Sequence, residues 1–266
     1  MRHTDHLGYT IELKQPPQNI ISLVPSQTEL LFHLGLDKEV KGITKFCVHP
    51  QEWFRTKTRI GGTKTLSLEK IKQLQPDLII ANKEENVREQ VEALSKDFPV
   101  WTSDVNDLPT ALDMMASIGI ITGKEKEAQN LAAQIQTAFA GFKPPTTTRQ
   151  PNTAYLIWRE PYMTAGGDTF IHQMLAYAGF QNIFASEKRY PQIMVSDLQS
   201  LNCELLLLSS EPYPFNRKHV DELQVFLPHT KIALVDGELF SWYGSRLLQA
   251  PGYFNKLHKE LIPVTR

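Results

Sequence analysis

The sequence predicts an α/β protein: two Rossmann-like lobes with parallel sheets, joined by one long backbone helix. Three observations carry this. Short apolar runs alternate with helical segments from end to end, the pattern of parallel strands connected by crossover helices. A helix-then-strand pattern near residue 70 returns near residue 200, as expected of a duplicated unit. Between the two copies lies a single long amphipathic segment, Gly123 to Phe142, ended by Pro144-Pro145.

In order, Asn19 to Val24 (NIISLV) reads as the first strand. It runs into Pro25-Ser26-Gln27-Thr28-Glu29, where Ser26 and Glu29 have the spacing of a capping box. The helix beyond carries Leu30, Leu31 and Leu34 inward and stops at Gly35. Gly42-Ile43 is a short strand, and Leu68, Ile71 and Leu74 mark a second helix ended by Pro76. Asp77 to Ala81 is a buried strand; a helix over Asn86 to Asp97 and a strand at Val100-Trp101 complete lobe one. The linking helix carries Ala128, Leu131, Ala132, Ile135 and Phe139 at helical spacing. Its roughly 18 residues at ~1.5 Å each give a strut of about 27 Å. Lobe two follows with a strand at Ala154 to Trp158 and a helix over Thr169 to Ala178, stopped by Gly179. Strands at Glu204 to Leu208 and Lys231 to Val235 come next, and a closing helix spans Gly244 to Leu261. The expected domains are residues 1–122, the helix 123–143, and residues 144–266. Ile71-x-x-Leu74-x-Pro76-Asp77 is echoed by Leu198-x-x-Leu201-x-Cys203-Glu204, and Gly35-Leu36 by Gly179-Phe180.

Composition narrows the function classes. Hydrophobic residues are 41% and charged residues 21%, with a net charge of −1, so bulk electrostatics favours neither nucleic acid nor an anionic membrane. Cys47 and Cys203 lie far apart with no CxxC pair and read as two buried thiols. The eight histidines are scattered without an HxxxH pair, so no protein-built metal site is expected. His172 reads as a helix-start residue and His49, before Pro50, as a loop residue. There is no GxSxG elbow, and Gly119 to Lys124 is one residue short of a phosphate loop; no catalytic residue is assigned. Glu84, Glu85 and Glu89 read as a solvated face. No stretch reaches the ~20 apolar residues of a membrane span, and the first residues lack the pattern of a secretory signal.

Ser22-Leu23-Val24-Pro25-Ser26-x-Thr28-Glu29-Leu30, Gly61-Gly62 with Leu68-Glu69-Lys70-Ile71, and Pro76-Asp77-Leu78-Ile79 together resemble the class III substrate-binding proteins of ABC importers. Pro161 to Gly166, Asn182-Ile183-Phe184 and Phe240 to Arg246 extend the resemblance over nearly the whole chain. It is nearest the cobalamin-binding branch. The resemblance implies a ligand cleft between the lobes for cobalamin, haem or a ferric siderophore, no built-in cofactor and no catalysis. It also implies a monomer docking on ABC transporter membrane subunits at the periplasmic or cell-surface side, through one glutamate per lobe. Glu69 matches that position in lobe one. In lobe two it falls on Ser196, with Asp197 adjacent. That departure, with the missing secretory signal, keeps a cytoplasmic ligand-handling protein of the same fold as the alternative, and a chelatase-like enzyme as a further one.

A cleft in such a fold lies beyond the carboxyl ends of the parallel strands. The candidate ligand-binding residues there are Pro25, Ser26, Phe46, Trp158, Arg159, Tyr162, Met163, Phe240, Trp242, Tyr243 and Arg246. Tyr190 joins them where family members often carry another cleft aromatic. Rings and a thioether suit a flat macrocycle through dispersion, and arginines can grip its carboxylates.

Overall fold

The computed structural model describes residues 1–142 and 149–262. The expected break at Pro144 to Thr148 lies outside the described residues. The chain divides into two compact units. Unit one comprises Met1–Val105, Pro109–Ile135 and Tyr243–Arg246; unit two comprises Asn106–Leu108, Gln136–Trp242 and Leu247 onward.

Unit one opens with a hairpin of β1 (Arg2–Thr4) and β2 (Thr10–Glu12). Then come β3 (Ile20–Ser22), α1 (Pro25–His33), β4 (Val40–Ile43), α2 (Gln51–Thr56) and β5 (Thr58–Arg59). After them follow α3 (Leu68–Leu74), β6 (Leu78–Asn82), α4 (Arg88–Ser95) and β7 (Val100–Ser103). The sheet order is β5-β4-β3-β6-β7, with every pair parallel. Every residue of β3 and β6 is buried, as central parallel strands require. Then α5 (Leu108–Thr122) and α6 (Glu125–Gly141) follow. In α6 the buried stripe is Ala128, Leu131, Ile135 and Phe139, and its 17 residues measure about 26 Å. The boundary between the units falls within this helix. Gly119 to Lys124 forms the α5–α6 junction, where the Lys124 N–H donates to Gly119 O.

Unit two contains β8 (Asn152–Trp158), β9 (Tyr162–Thr164), α7 (Phe170–Tyr177), β10 (Gln181–Asn182) and β11 (Gln192–Ile193). It continues with α8 (Val195–Ser200), β12 (Leu205–Ser209), α9 (Arg217–Phe226), β13 (Lys231–Val235) and α10 (Glu238–Ser241). A 3₁₀ turn (Ser245–Leu248), which belongs in part to unit one, leads to α11 (Ala250–Leu261). The parallel path β10-β8-β12-β13 repeats the order β4-β3-β6-β7 of unit one. The sheet is mixed, however, because β9 and β11 add antiparallel pairs. Glu160, at φ +62°, reverses the chain after β8. The wholly parallel second sheet expected from the strand pattern is corrected accordingly.

The duplication reaches individual hydrogen bonds. Asp77, just before β6, accepts the N–H groups of Gln18 and Asn19 at 2.8 Å each, at the start of neighbouring β3. Glu204, just before β12, accepts the N–H of Asn152 at 2.8 Å, at the start of neighbouring β8. Glu69 and Ser196 likewise both occupy the second position of their helices, α3 and α8. Gly35 and Gly179 both adopt positive φ, +76° and +81°, where a residue lacking Cβ costs least.

Other expectations change. Ser26 and Glu29 form no capping box: the N-cap of α1 is Val24 with no side-chain cap, and Pro25 opens the helix, where its missing N–H costs nothing. The closing helix from Gly244 is instead a 3₁₀ turn and then α11, restarted by Pro251 in its first turn. Glu84 and Glu85 are half-buried, leaving Glu89 exposed. Both cysteines are buried free thiols, and burial pushes each up to about 11.

Candidate functional site

In unit one the carboxyl ends of β3, β4 and β6 lead into α1, the 44–50 loop and the β6–α4 turn. Pro25 and Ser26 open α1 and are buried, and among the described residues the Ser26 hydroxyl has no hydrogen-bond partner. Thr28 behind it is fully satisfied, donating to the Val24 carbonyl and contacting Ser22 and Cys47. Phe46, on the loop after β4, is 51% exposed.

Tyr243 to Arg246 also belong to unit one. A Cβ added at Gly244 would stand 2.5 Å from the Ser26 carbonyl oxygen, so only glycine allows this backbone approach. Arg246 grips Glu29 with two bonds, Nε to Oε2 at 3.0 Å and Nη2 to Oε1 at 2.6 Å. Arg246, expected as a ligand clamp, thus presents a bidentate fork to Glu29, the residue expected to cap α1. Tyr243 is 5% exposed.

In unit two, Trp158 ends β8 and is 41% exposed, its ring edge-on to Tyr213 with centroids 5.7 Å apart. Arg159 pairs with Glu222 at 3.0 Å and Glu160 at 3.4 Å. Tyr162 and Met163 lie on β9, where Met163 pairs with Trp158 across the strands. Burial, as the leading cause, raises the Tyr162 phenol above its ordinary value. The Arg189 guanidinium lies 6.0 Å from the Tyr190 ring centroid. The structure thus brings Trp158, Arg159, Tyr162 and Met163 together.

Phe240 is different. It sits in α10 rather than a loop, is 0% exposed, and packs on Tyr155 at 5.2 Å and Phe254 at 4.9 Å between centroids. It is a core residue with no ring face to offer. Trp242 is also buried, and its indole N–H donates to Glu211 Oε1 at 2.8 Å.

Two residues escaped the sequence reading. Glu211 and Tyr213 stand in Glu211-Pro212-Tyr213-Pro214, directly after β12. The Glu211 carboxylate also accepts from the Ser241 hydroxyl at 2.6 Å. Burial first, then the charges of Glu238 and Asp236, push it above the usual carboxylate range, against the lowering by its donors. Their position after an all-apolar strand, on the same edge as Trp158, was the available signal.

At the second helical positions, Glu69 is exposed and so is Ser196. Asp197 is turned to α8 itself, where its Oδ2 accepts the Met194 N–H at 2.7 Å.

The sequence profile of one family, described as "Periplasmic binding protein", matches residues 20–224. The chain belongs to the periplasmic binding protein family. Among similar proteins, a Bacillus subtilis protein named an uncharacterized ABC transporter substrate-binding lipoprotein is 26% identical over 92% of this chain and 81% of its own. The vitamin B12-binding protein of Vibrio campbellii is 24% identical over 73% of this chain and 71% of its own. Among solved structures, the periplasmic haem-binding protein of Roseiflexus superimposes with a TM-score of 0.77 at 22% identity, over 91% of this chain and 99% of its own. The periplasmic vitamin B12-binding protein of Vibrio cholerae gives 0.74 at 20% identity, over 93% and 99%. These two likenesses establish the periplasmic-binding-protein fold. Among the described residues no helix is long and apolar enough to cross a membrane.

Proposed function

We propose that this chain is the capture component of an ABC-type importer, binding a bulky metal chelate and passing it on unchanged. The ligand class is a corrinoid, haem or ferric siderophore, and the proposed domains are residues 1–122 and 144–266 with the helix 123–143. The observation that carries the reading is a pair of exposed rings, Phe46 in one unit and Trp158 in the other. Each stands at the carboxyl ends of its parallel strands, where α/β folds bind ligands. An exposed aromatic face costs solvation and contributes when it stacks on a flat partner. Pro25, Ser26, Tyr162, Met163 and Tyr190 complete the contact set, with Trp242 and Tyr243 behind it. The names of the relatives support capture over catalysis and a role outside the cytoplasmic membrane, and the chain is proposed to act as a monomer. Glu69 is the proposed contact with an arginine cluster on the membrane subunits.

Intrinsic fluorescence tests this. Titration with cyanocobalamin, haemin, a ferric hydroxamate and a ferric catecholate should quench tryptophan emission for at least one, saturating at one equivalent. Trp158→Phe should remove most of that quench. A flat response across all four would overturn the reading.

A further inference from the structure

We propose that Lys45 selects for a ligand bearing ionised carboxylate or phenolate groups at its rim, an inference that rests on the function proposed above. The platform around it is built, not incidental. Lys45 Nζ lies 5.0 Å from the centroid of the exposed Phe46 ring. Both side chains rest on Gly62: a Cβ there would stand 3.1 Å from Phe46 Cε2 and 3.3 Å from Lys45 Cε. The two loops are tied by the Lys45 N–H donating to the Gly61 carbonyl at 2.8 Å. Gly61, at φ +106°, has Thr65 O only 2.4 Å from where its Cβ would be, so this turn admits glycine alone. Among the described residues no carboxylate pairs with the Lys45 ammonium. Among those residues its partner is the ring face.

That arrangement discriminates. A flat ligand stacking on Phe46 takes the ring face from the ammonium, which loses a cation–π contact. A ligand with an anionic rim supplies a replacement beside the stack, whereas a neutral ligand of the same shape leaves the cation with water alone. Specificity then comes from the unequal consequence of displacing one contact. Lys64 Nζ donates instead to the Glu84 carbonyl.

The test compares charged and neutral ligands of matched shape. Haemin is set against its dimethyl ester, and an anionic ferric catecholate against a neutral ferric hydroxamate, in wild type, Lys45→Gln and Lys45→Arg. The two pairs separate a tetrapyrrole from a siderophore as the source of the anion. In at least one pair wild type should favour the charged member, and rising salt should erode that preference. Lys45→Gln should shrink the preference by about fivefold, the upper range for one exposed ion pair, and Lys45→Arg should keep it. Equal affinity for both members, or a preference indifferent to Lys45→Gln, overturns the inference while leaving the proposed function standing. Failure of every ligand, cyanocobalamin included, would overturn both.

Discussion

Phe240 and Trp158 are both aromatic residues of unit two at or beyond the end of a β-strand, and the structure gives them opposite exposures. Truncating Phe240 to alanine empties a site bounded by Tyr155, Tyr253 and Phe254 with no exposed face. Phe→Ala changes in such settings cost about 3–5 kcal/mol, from lost transfer energy plus the cavity left behind. At roughly 2–4 °C per kcal/mol for a unit of this size, the melting temperature should fall by about 10 °C. Trp158→Ala removes a ring that is 41% exposed with one edge-on neighbour, Tyr213. Its stability cost should be about 1 kcal/mol, while the ligand-induced fluorescence change should disappear. Scanning calorimetry of both variants, with ligand titration of each folded sample below its melting point, separates the two jobs. If Phe240→Ala melts with wild type, or Trp158→Ala melts as low as Phe240→Ala, the division into core ring and platform ring is wrong.

Glu211 should show its burial in a pH profile. Its folded pKa lies above the ordinary carboxylate value of about 4.3, so its contribution to stability is full below that value and is lost as pH rises through the folded pKa. Glu211→Gln should therefore melt higher than wild type at neutral pH and converge with it near pH 4; a constant offset across the range would contradict this. Asp197→Ala should cost ~1 kcal/mol by uncapping α8 and barely alter transporter pulldown, whereas Glu69→Ala should weaken pulldown and leave melting and ligand affinity unchanged. Equal pulldown losses from both would show Asp197 standing in for the glutamate absent at Ser196. Leu131→Pro, at a fully buried position of α6, should weaken ligand binding through a break costing ~3 kcal/mol or more. Wild-type binding in a folded variant would place α6 outside the ligand-holding frame.

The parts of the fold legible in the sequence are those where one physical term dominates. Short all-apolar runs such as Leu205 to Leu208 have the length of buried central strands, and the Ala128–Phe139 stripe has the period of one helix face. The echo between Asp77 and Glu204 was visible as spacing, but its meaning, a carboxylate tying off the start of the adjacent strand, needed the parallel register. Helix α5 went unread because Leu112 and the exposed Ile120 carry apolar side chains beyond the buried stripe of Leu108, Ala111, Met114, Met115, Ile118 and Ile121, which blurs its edge. Helix α2 went unread because it buries only Trp53. Phe46 and Trp158 were legible as aromatics at strand ends or in the loops after them. Phe240 and Arg246 looked the same in sequence, since nothing local distinguishes a ring facing Phe254 or a guanidinium facing Glu29, 217 residues away, from one facing solvent. Lys45 was passed over because a single lysine beside a phenylalanine acquires meaning only with Gly62 beneath both.

The central claim is capture without conversion, and calorimetric titration coupled to mass spectrometry of the released ligand tests it most directly. One equivalent of a corrinoid, haem or ferric siderophore should bind with micromolar or tighter affinity, and denaturing the complex should return that chelate with its mass and metal unchanged. No heat with any member of the panel, or recovery of a ligand that has gained, lost or exchanged its metal, would contradict the account.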